Sequence, residues 1–567
     1  MCGIAGIYDF SGPVAAEALV RFTDSLAHRG PDGKGTHLDG PIGLGHRRLA
    51  ILDLSEAGAN PMRYAGPDGR EFWISYNGEV YNFLELRAEL EALGHRFRTD
   101  TDTEVIAAAY AQWGDACQER FNGMWAFALW DPLERSLFLS RDRFSIKPLY
   151  YLDQGRRFCF ASELKAFPEL DGYDPECNES LVPMLLASPG AYEGTTTQTL
   201  FAGVHRLPGG HCLRVGPDGT RTVRRWWNTH DHIPEIPGRY EEQVERFREL
   251  FFDAVRIRMR SDVAVGTCLS GGVDSSAVAS AMAWLQGHRP DHDLGRCPED
   301  WQRTYIATFP GTMIDEREYA DEVVRHVGAR PSYWTFEPRE ALDNVLESTW
   351  AMEEVYNGIA VPGWALYREM RRGGTKVSLD GHGGDELLCG YTWYLDFPMN
   401  EVNARIEADF HTNLLPAILR NYDRCSMAHG IEVRMPIMDW RLVTFCMGLP
   451  ARSKIGEGYT KRIFRDALRG IMPEKNRTRL SKFGFNSPMI EWFNGGLAPL
   501  IEQVTSSPMF LESPHWDGPA LRARIVDKTS NKAWTMADWG ETLNVWTRMN
   551  VVLWQMMFIT RDIVVTR

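Results

Sequence analysis

The segment Leu269-Ser-Gly-Gly-Val-Asp-Ser-Ser276 gathers two glycines, three hydroxyls and one carboxylate within eight residues. Gly271 and Gly272 let backbone N–H groups come close to phosphate oxygens, and Ser270, Ser275 and Ser276 add hydroxyl donors. Asp274 puts a carboxylate where phosphate would collect, which requires a cation between the two. No Gly-Lys-Ser/Thr follows at P-loop spacing, so this is another kind of phosphate cradle. A second reactive residue stands far upstream. Cys2 lies between Met1 and the small residue Gly3, a context in which methionine is readily removed. Cys2 would then carry both a thiol nucleophile and a free α-amine of near-neutral pKa. That amine can take the thiol proton and hand it to a leaving amine.

Each of these groups needs an element to hold it. Residues 262–268, rich in Val, Thr and Ala, predict a short buried strand, and 277–285 predict a helix. The loop between them adds the positive end of a helix to its N–H donors. Further on, strands at 304–309, 332–336 and 375–379 alternate with helices at 315–327, 340–352 and 362–372, after an amphipathic helix at 240–260. Such alternation predicts a doubly wound parallel sheet of α/β type, with ligands at the carboxyl ends of its strands. Upstream, 125–130 and 136–140 read as a hairpin about Asp131-Pro132, and 149–153 as the next strand. A helix is expected from residue 161 and a closing hairpin over 204–215. The expected division is a domain at 2–215, a linker rich in turns, charge and Pro at 216–239, and a domain at 240–567.

At 567 residues the chain exceeds one comfortable core, and 44% apolar with 24% charged residues is ordinary for a globular protein. A net charge of −14 argues against a general nucleic-acid surface. The early sequence has no apolar run of membrane-spanning length, and ten scattered cysteines lack metal-type spacing. A cytoplasmic protein without nucleic-acid or membrane partners is expected.

Motifs then accumulate in order: Cys2-Gly-Ile-Ala-Gly-Ile7, His28-Arg-Gly-Pro-Asp-Gly33, His46-Arg-Arg-Leu-Ala-Ile-Leu-Asp53 and Asn77-Gly-Glu-Val-Tyr-Asn82. Thr99-Asp-Thr-Asp-Thr-Glu104, Gly123-Met-Trp-Ala-Phe-Ala-Leu-Trp130 and Arg141-Asp-Arg-Phe-Ser-Ile-Lys-Pro-Leu-Tyr150 follow. The series resembles the class II glutamine amidotransferase domain, an N-terminal-nucleophile (Ntn) hydrolase sandwich of antiparallel sheets flanked by helices. The resemblance implies glutamine hydrolysis through a thioester on Cys2, with Asn77 and the Gly78 N–H as oxyanion donors. It assigns Arg48 to the glutamine α-carboxylate and Asp102, with Glu79 beside it, to the α-amine. Spacing alone does not distinguish Arg48 from its neighbour Arg47.

Ser-Gly-Gly-Val-Asp-Ser-Ser likewise resembles the pyrophosphate loop of N-type ATP pyrophosphatases. Asp380-Gly-His-Gly-Gly-Asp-Glu-Leu-Leu-Cys-Gly-Tyr391, Asp423-Arg-Cys-Ser-Met-Ala-His-Gly-Ile-Glu-Val-Arg-Met-Pro-Ile-Met-Asp439 and Tyr459-Thr-Lys-Arg-Ile-Phe-Arg465 resemble the remaining signatures of glutamine-hydrolysing asparagine synthetases. Residues 477–488, with Lys482-Phe-Gly-Phe, also fit that pattern. The resemblance implies ATP as cosubstrate, contacted by Leu269, Ser270, Gly271, Gly272, Asp274, Ser275, Ser276, Asp380 and Gly381. Asp274 and Asp385 would hold Mg2+, and Lys461 would stabilise charge on an acyl-adenylate. Members are often dimers, so a homodimer is the implied assembly.

Two departures concern the acid that is amidated. His382 stands where the family has the Glu of Ser-Gly-Glu-Gly, and it can serve as a base or simply line the pocket. Tyr356-Asn-Gly-Ile-Ala-Val-Pro362 lacks the Arg with which some members grip the α-carboxylate of aspartate. One reading is an asparagine synthetase proper; the favoured one is the same machinery acting on a different, less polar acid of a specialised pathway. A non-catalytic binding protein is disfavoured by intact Cys2, Asn77, Asp274, Asp385 and Lys461, and a β-lactam synthetase by the N-terminal cysteine, which those relatives lack.

Overall fold

The structure, a computed structural model, describes residues 1–288, 296–312, 314–356, 358–481 and 487–565. Strands that are apolar on both faces need cover on both, and the N-terminal half supplies it by stacking two antiparallel sheets. One sheet has the order β10-β8-β9-β1-β3-β2. It comprises β1 (Gly3–Asp9), β2 (Gly33–Asp39), β3 (Ile42–Arg48), β8 (Tyr150–Asp153), β9 (Arg157–Ala161) and β10 (Val204–Arg206). The other has the order β12-β11-β7-β6-β5-β4. Its members are β4 (Met62–Ala65), β5 (Glu71–Val80), β6 (Gly123–Asp131), β7 (Ser136–Arg141), β11 (His211–Val215) and β12 (Arg221–Arg225). Ile4, Tyr8, Ile42 and Leu44 of the first sheet meet Ala126, Ala128, Trp130 and Leu139 of the second, those from one strand an even number of residues apart and so on one face. Helices Phe83–Ala92 and Asp102–Trp113 cover the second sheet outside, and the C-terminal helix Trp539–Phe558 reaches back to the first through Trp554 and Phe558.

Three local expectations change. Residues 204–215 do not form a hairpin: β10 pairs with β8 in one sheet, while β11 pairs with β7 and β12 in the other. Strand β12 lies within the stretch expected as linker, so this sheet continues to Arg225. The helix expected from 161 is instead a 3-10 segment at Leu164–Glu169, with Pro168 inside it.

The C-terminal half holds a wholly parallel sheet of order β15-β14-β13-β16-β17. Its strands are β13 (Val265–Cys268), β14 (Arg303–Thr308), β15 (Arg330–Thr335), β16 (Val377–Leu379) and β17 (Glu432–Arg434). Successive strands run outward from β13 in both directions, so the connections diverge there and open a crevice at its carboxyl end. No described helix is long and apolar enough to cross a membrane.

The halves meet through buried charge. Arg29 pairs with Glu163 at 2.6 Å and with Asp423 at 2.9 Å, and Arg424 pairs with Asp423 at 2.6 Å. Burial works to raise the Asp423 carboxyl, but Arg29, Lys147 and Arg424 overcome it and hold it down at about 2. Cutting one member from such a set strands its partners, so Asp423→Asn is expected to cost about 3–5 kcal/mol in denaturant unfolding. Because the folded pKa is depressed, this stabilisation is present above pH ~4 and is lost as pH falls towards 2. A wild-type acid-unfolding curve that Asp423→Asn reproduces unchanged would contradict this assignment.

Candidate active sites

Cys2 precedes β1, in the interior of its sheet, and faces β5 of the other sheet. The Cys2 backbone N–H donates to Asn77 Oδ1 at 2.9 Å. That leaves Asn77 Nδ2 buried and without a hydrogen-bond partner, a donor suited to an oxyanion beside the thiol. Gly78 sits where β5 and β6 nearly touch: a Cβ there would lie 2.2 Å from the Met124 carbonyl oxygen. Burial raises the Cys2 thiol pKa, against the pull of the terminal ammonium and Arg48, so attack needs a nearby base.

Alternation along β3 separates the two arginines. Arg47 turns to Asp24 at 3.0 Å, whereas Arg48 donates to the carbonyls of Asp53 and Ser55 and acts on Cys2. Glu79 presents a buried, unpartnered Oε1, while its Oε2 lies 3.2 Å from Arg434. Asp102, at the start of its helix, accepts from the Tyr76 hydroxyl at 2.8 Å and the Val80 N–H at 2.9 Å. Burial and the neighbouring Asp102 push Glu79 well above the usual carboxylate range; burial lifts Asp102 to about 6. With its unpartnered Oε1, Glu79 offers the freer acceptor, and a bound ammonium would favour its ionised form. Met1 lies next door, its ammonium 2.8 Å from Glu432 and its side chain buried in the same apolar cluster as Leu49, Ile51, Tyr81, Met124 and Ile146.

At the β13 crevice a cavity of about 460 Å³ is lined by Ser270, Gly272, Asp274, Ser275, Asp380, Gly381, His382 and Asp385, among others. The loop turns over on itself: Gly272 N–H donates to Ser270 Oγ at 3.2 Å, and Ser270 and Ser275 hydroxyls lie 3.1 Å apart. Not every expected ATP residue faces this space. Gly271 and Ser276 turn the other way, where Asn476 Nδ2 donates to the Gly271 carbonyl at 2.9 Å and to Ser276 Oγ at 3.2 Å. The Leu269 side chain packs into an apolar cluster with Ile306, Ala320 and Val323. The Asp380 carboxylate is taken up by the Ser378 hydroxyl, the Cys268 N–H and the Tyr367 hydroxyl, and so ties β16 to β13. Gly271 and Ser276 thus shape the loop from behind, whereas Leu269 and Asp380 still border the cavity.

Lys461 Nζ lies 2.5 Å from Asp274 and 2.6 Å from Asp385. Carboxylates from two strand ends thus converge on one point of positive charge, as two hard oxygen ligands of a Mg2+ ion must. Among the described residues no third His, Cys or carboxylate completes a metal cluster, so phosphate oxygens and water would supply the other ligands. The fit is tight. Lys461 itself adopts the left-handed conformation, φ +54°, a strained backbone for a lysine. A Cβ on Gly390 would lie 1.9 Å from Asp385 Oδ1 and 2.3 Å from Lys461 Cε, and one on Gly381 2.5 Å from Asp274 Cβ. His382 stacks on Tyr422, with centroids 3.5 Å apart, and its Nε2 is 3.5 Å from Asp380.

Several site residues escaped the motif reading. Asn476 gives no local signal, since it meets the loop only through the fold. Glu386, raised to about 7 by burial and Asp385, follows directly on Asp385, and the aromatic run Tyr391-Thr-Trp-Tyr394 borders the same signature. Residues 482–486, which include the whole Lys482-Phe-Gly-Phe motif, lie outside the described residues, as does Asn357.

Residues 1–227 match the glutamine amidotransferase domain model, and residues 246–405 and 398–554 match the asparagine synthase model. The glutamine-hydrolysing asparagine synthetase 3 of Bacillus subtilis is 30% identical over 535 residues, which span 84% of this chain and 85% of the relative. The chain belongs to the glutamine-hydrolysing asparagine synthetase family. A putative asparagine synthetase 2 of Methanocaldococcus jannaschii is 34% identical over 421 residues, covering 70% of this chain and 76% of its own. An amidase, chry2, of Gibberella zeae is 27% identical over 557 residues, covering 90% and 81%. As a member of this ATP-using asparagine synthetase family, the protein is a glutamine-dependent amidotransferase and ligase.

Proposed function

We propose that the enzyme amidates a carboxylic acid less polar than aspartate, by way of an acyl-adenylate. After loss of Met1, Cys2 Sγ attacks the glutamine side-chain amide. Its own α-amine receives the thiol proton and returns it to the departing ammonia, and water hydrolyses the thioester to glutamate. Asn77 Nδ2 and the Gly78 N–H steady the oxyanion, Arg48 holds the α-carboxylate, and Glu79 with Asp102 holds the α-ammonium. Ammonia moves inward along the apolar seam of Leu49, Ile51, Met124 and Ile146, next to which Met1 is packed.

In the second domain the acid's carboxylate attacks the α-phosphorus of ATP and pyrophosphate leaves. Ser270, Gly272 and Ser275 grip the phosphates; Asp274 and Asp385 would hold Mg2+, which when bound would neutralise charge on the triphosphate. Ammonia then attacks the acyl carbon, His382 takes the proton that nitrogen loses, and AMP departs with its charge countered by Lys461.

The observation carrying the choice of acceptor is the cavity wall. None of the described residues lining it is Lys or Arg, and Lys461 is already engaged by two carboxylates. Gly358, Ile359 and Ala360, whose carbonyls accept from Trp546, Ser487 and Cys425, border a second, smaller cavity that shares Tyr356, Gly363 and Tyr422 with the first and likewise has no Lys or Arg among its described lining residues. The α-carboxylate of aspartate would lack a counter-charge there. Aspartate remains the second reading, favoured by the names of the bacterial relatives. The test is nucleotide analysis of a turnover mixture containing glutamine, ATP and candidate acids. AMP and pyrophosphate in step with amide are expected; ADP and phosphate would refute the acyl-adenylate route, and efficient turnover of aspartate would refute the choice of acid.

A further inference from the structure

Four aromatic rings line the adenylation cavity in two stacked pairs. His382 lies on Tyr422, in the helix Leu415–Met427, at 3.5 Å and 26° between ring planes. Tyr391 lies on Trp393, in the turn Thr392–Asp396, at 4.1 Å and 11°. All four border the one cavity, with Ile418 beside them. The Tyr391 hydroxyl is anchored on Glu386 Oε1 at 2.5 Å, which fixes the second pair from beneath. Trp393 is 40% exposed and stands at the mouth. Stacked rings of this kind are held rigid and present flat apolar faces without needing a cation.

The reacting carboxylate must lie by the phosphate loop, close to Asp274 and Lys461. Gly381 packs directly on Asp274, so His382 begins where the loop ends, and the body of the acid falls on the His382 side. Resting on the acyl-adenylate reading above, we infer that the acceptor is a monocarboxylic acid with a planar aromatic body, bound between the His382–Tyr422 and Tyr391–Trp393 pairs. A second carboxylate would meet Glu386 and Asp380 in place of a cation, whereas a flat ring meets an aromatic face of each pair.

The experiment is a pyrophosphate-release assay on the full-length enzyme with glutamine and ATP. The acids are benzoate, phenylacetate, cinnamate, hexanoate, succinate and aspartate. At least one aromatic acid is expected to show a KM roughly tenfold or more below those of the aliphatic and dicarboxylic acids. Trp393→Ala should raise that KM about tenfold and Trp393→Phe should restore most of it, while Leu395→Ala, exposed on the same turn outside the cavity, leaves it in place. Hexanoate, succinate or aspartate as the best acid would overturn the aromatic subsite, and so would an unmoved KM in a folded Trp393→Ala enzyme. Failure of the underlying reading looks different: ADP as product, or no pyrophosphate with any of the six acids.

Discussion

Cys2→Ala is expected to abolish glutamine-supported amide formation, by roughly 10⁴-fold or more, with ammonium-supported synthesis serving as the internal control. The expectation rests on position as well as on chemistry. Asn77 Oδ1 is fixed by the Cys2 N–H, which aims its idle Nδ2 beside the thiol. Take away Sγ and the donor remains with no tetrahedral centre to serve. Burial raises the thiol pKa, and the base proposed above is the α-amine that removal of Met1 would expose. A form that keeps Met1 should therefore be as inactive with glutamine as Cys2→Ala, and intact-mass measurement identifies which form is present. Glutamine use by Cys2→Ala at near wild-type rate would rule out the nucleophile.

Lys461→Ala is expected to lower AMP and amide formation by about 10²–10³-fold while glutamine is still hydrolysed. Its ammonium is the charge on which Asp274 and Asp385 converge, and its left-handed backbone holds it in place. Lys461→Arg should recover little, since Gly390 already crowds the lysine stem and a wider head cannot fit between the two acids. Coupled glutaminase and pyrophosphate assays on one preparation separate the two domains. Equal loss of both activities would mean that the substitution damaged the fold.

The parallel sheet and the strand–loop–helix at its centre were legible because their information is local: alternating apolar runs, a glycine pair and an adjacent helix. The same loop shows where local reading stops. Gly271 and Ser276 look like phosphate contacts by composition, but their partner Asn476 lies about two hundred residues away in sequence. The misread hairpin has a comparable cause. Leu207-Pro-Gly-Gly210 has the composition of a tight turn, but the chain there crosses from one sheet to the other. Its glycines are required by contact: a Cβ on Gly209 would lie 2.7 Å from Ser145 N, and one on Gly210 3.0 Å from Trp227 Cβ. Arg29, Glu163 and Asp423 carry no local sign of the buried ion pairs they form, because only the fold brings them together.

Strand β17 is three residues long, yet it serves both chemistries. Glu432 and Arg434 project to Met1 and Glu79, while the Arg434 carbonyl receives the Asp380 N–H at the head of the signature loop. The nitrogen-donating half cannot be exchanged for that of a relative as an independent module, because part of its wall belongs to the other domain. A working chimera would have to carry residues 432–434 across with it.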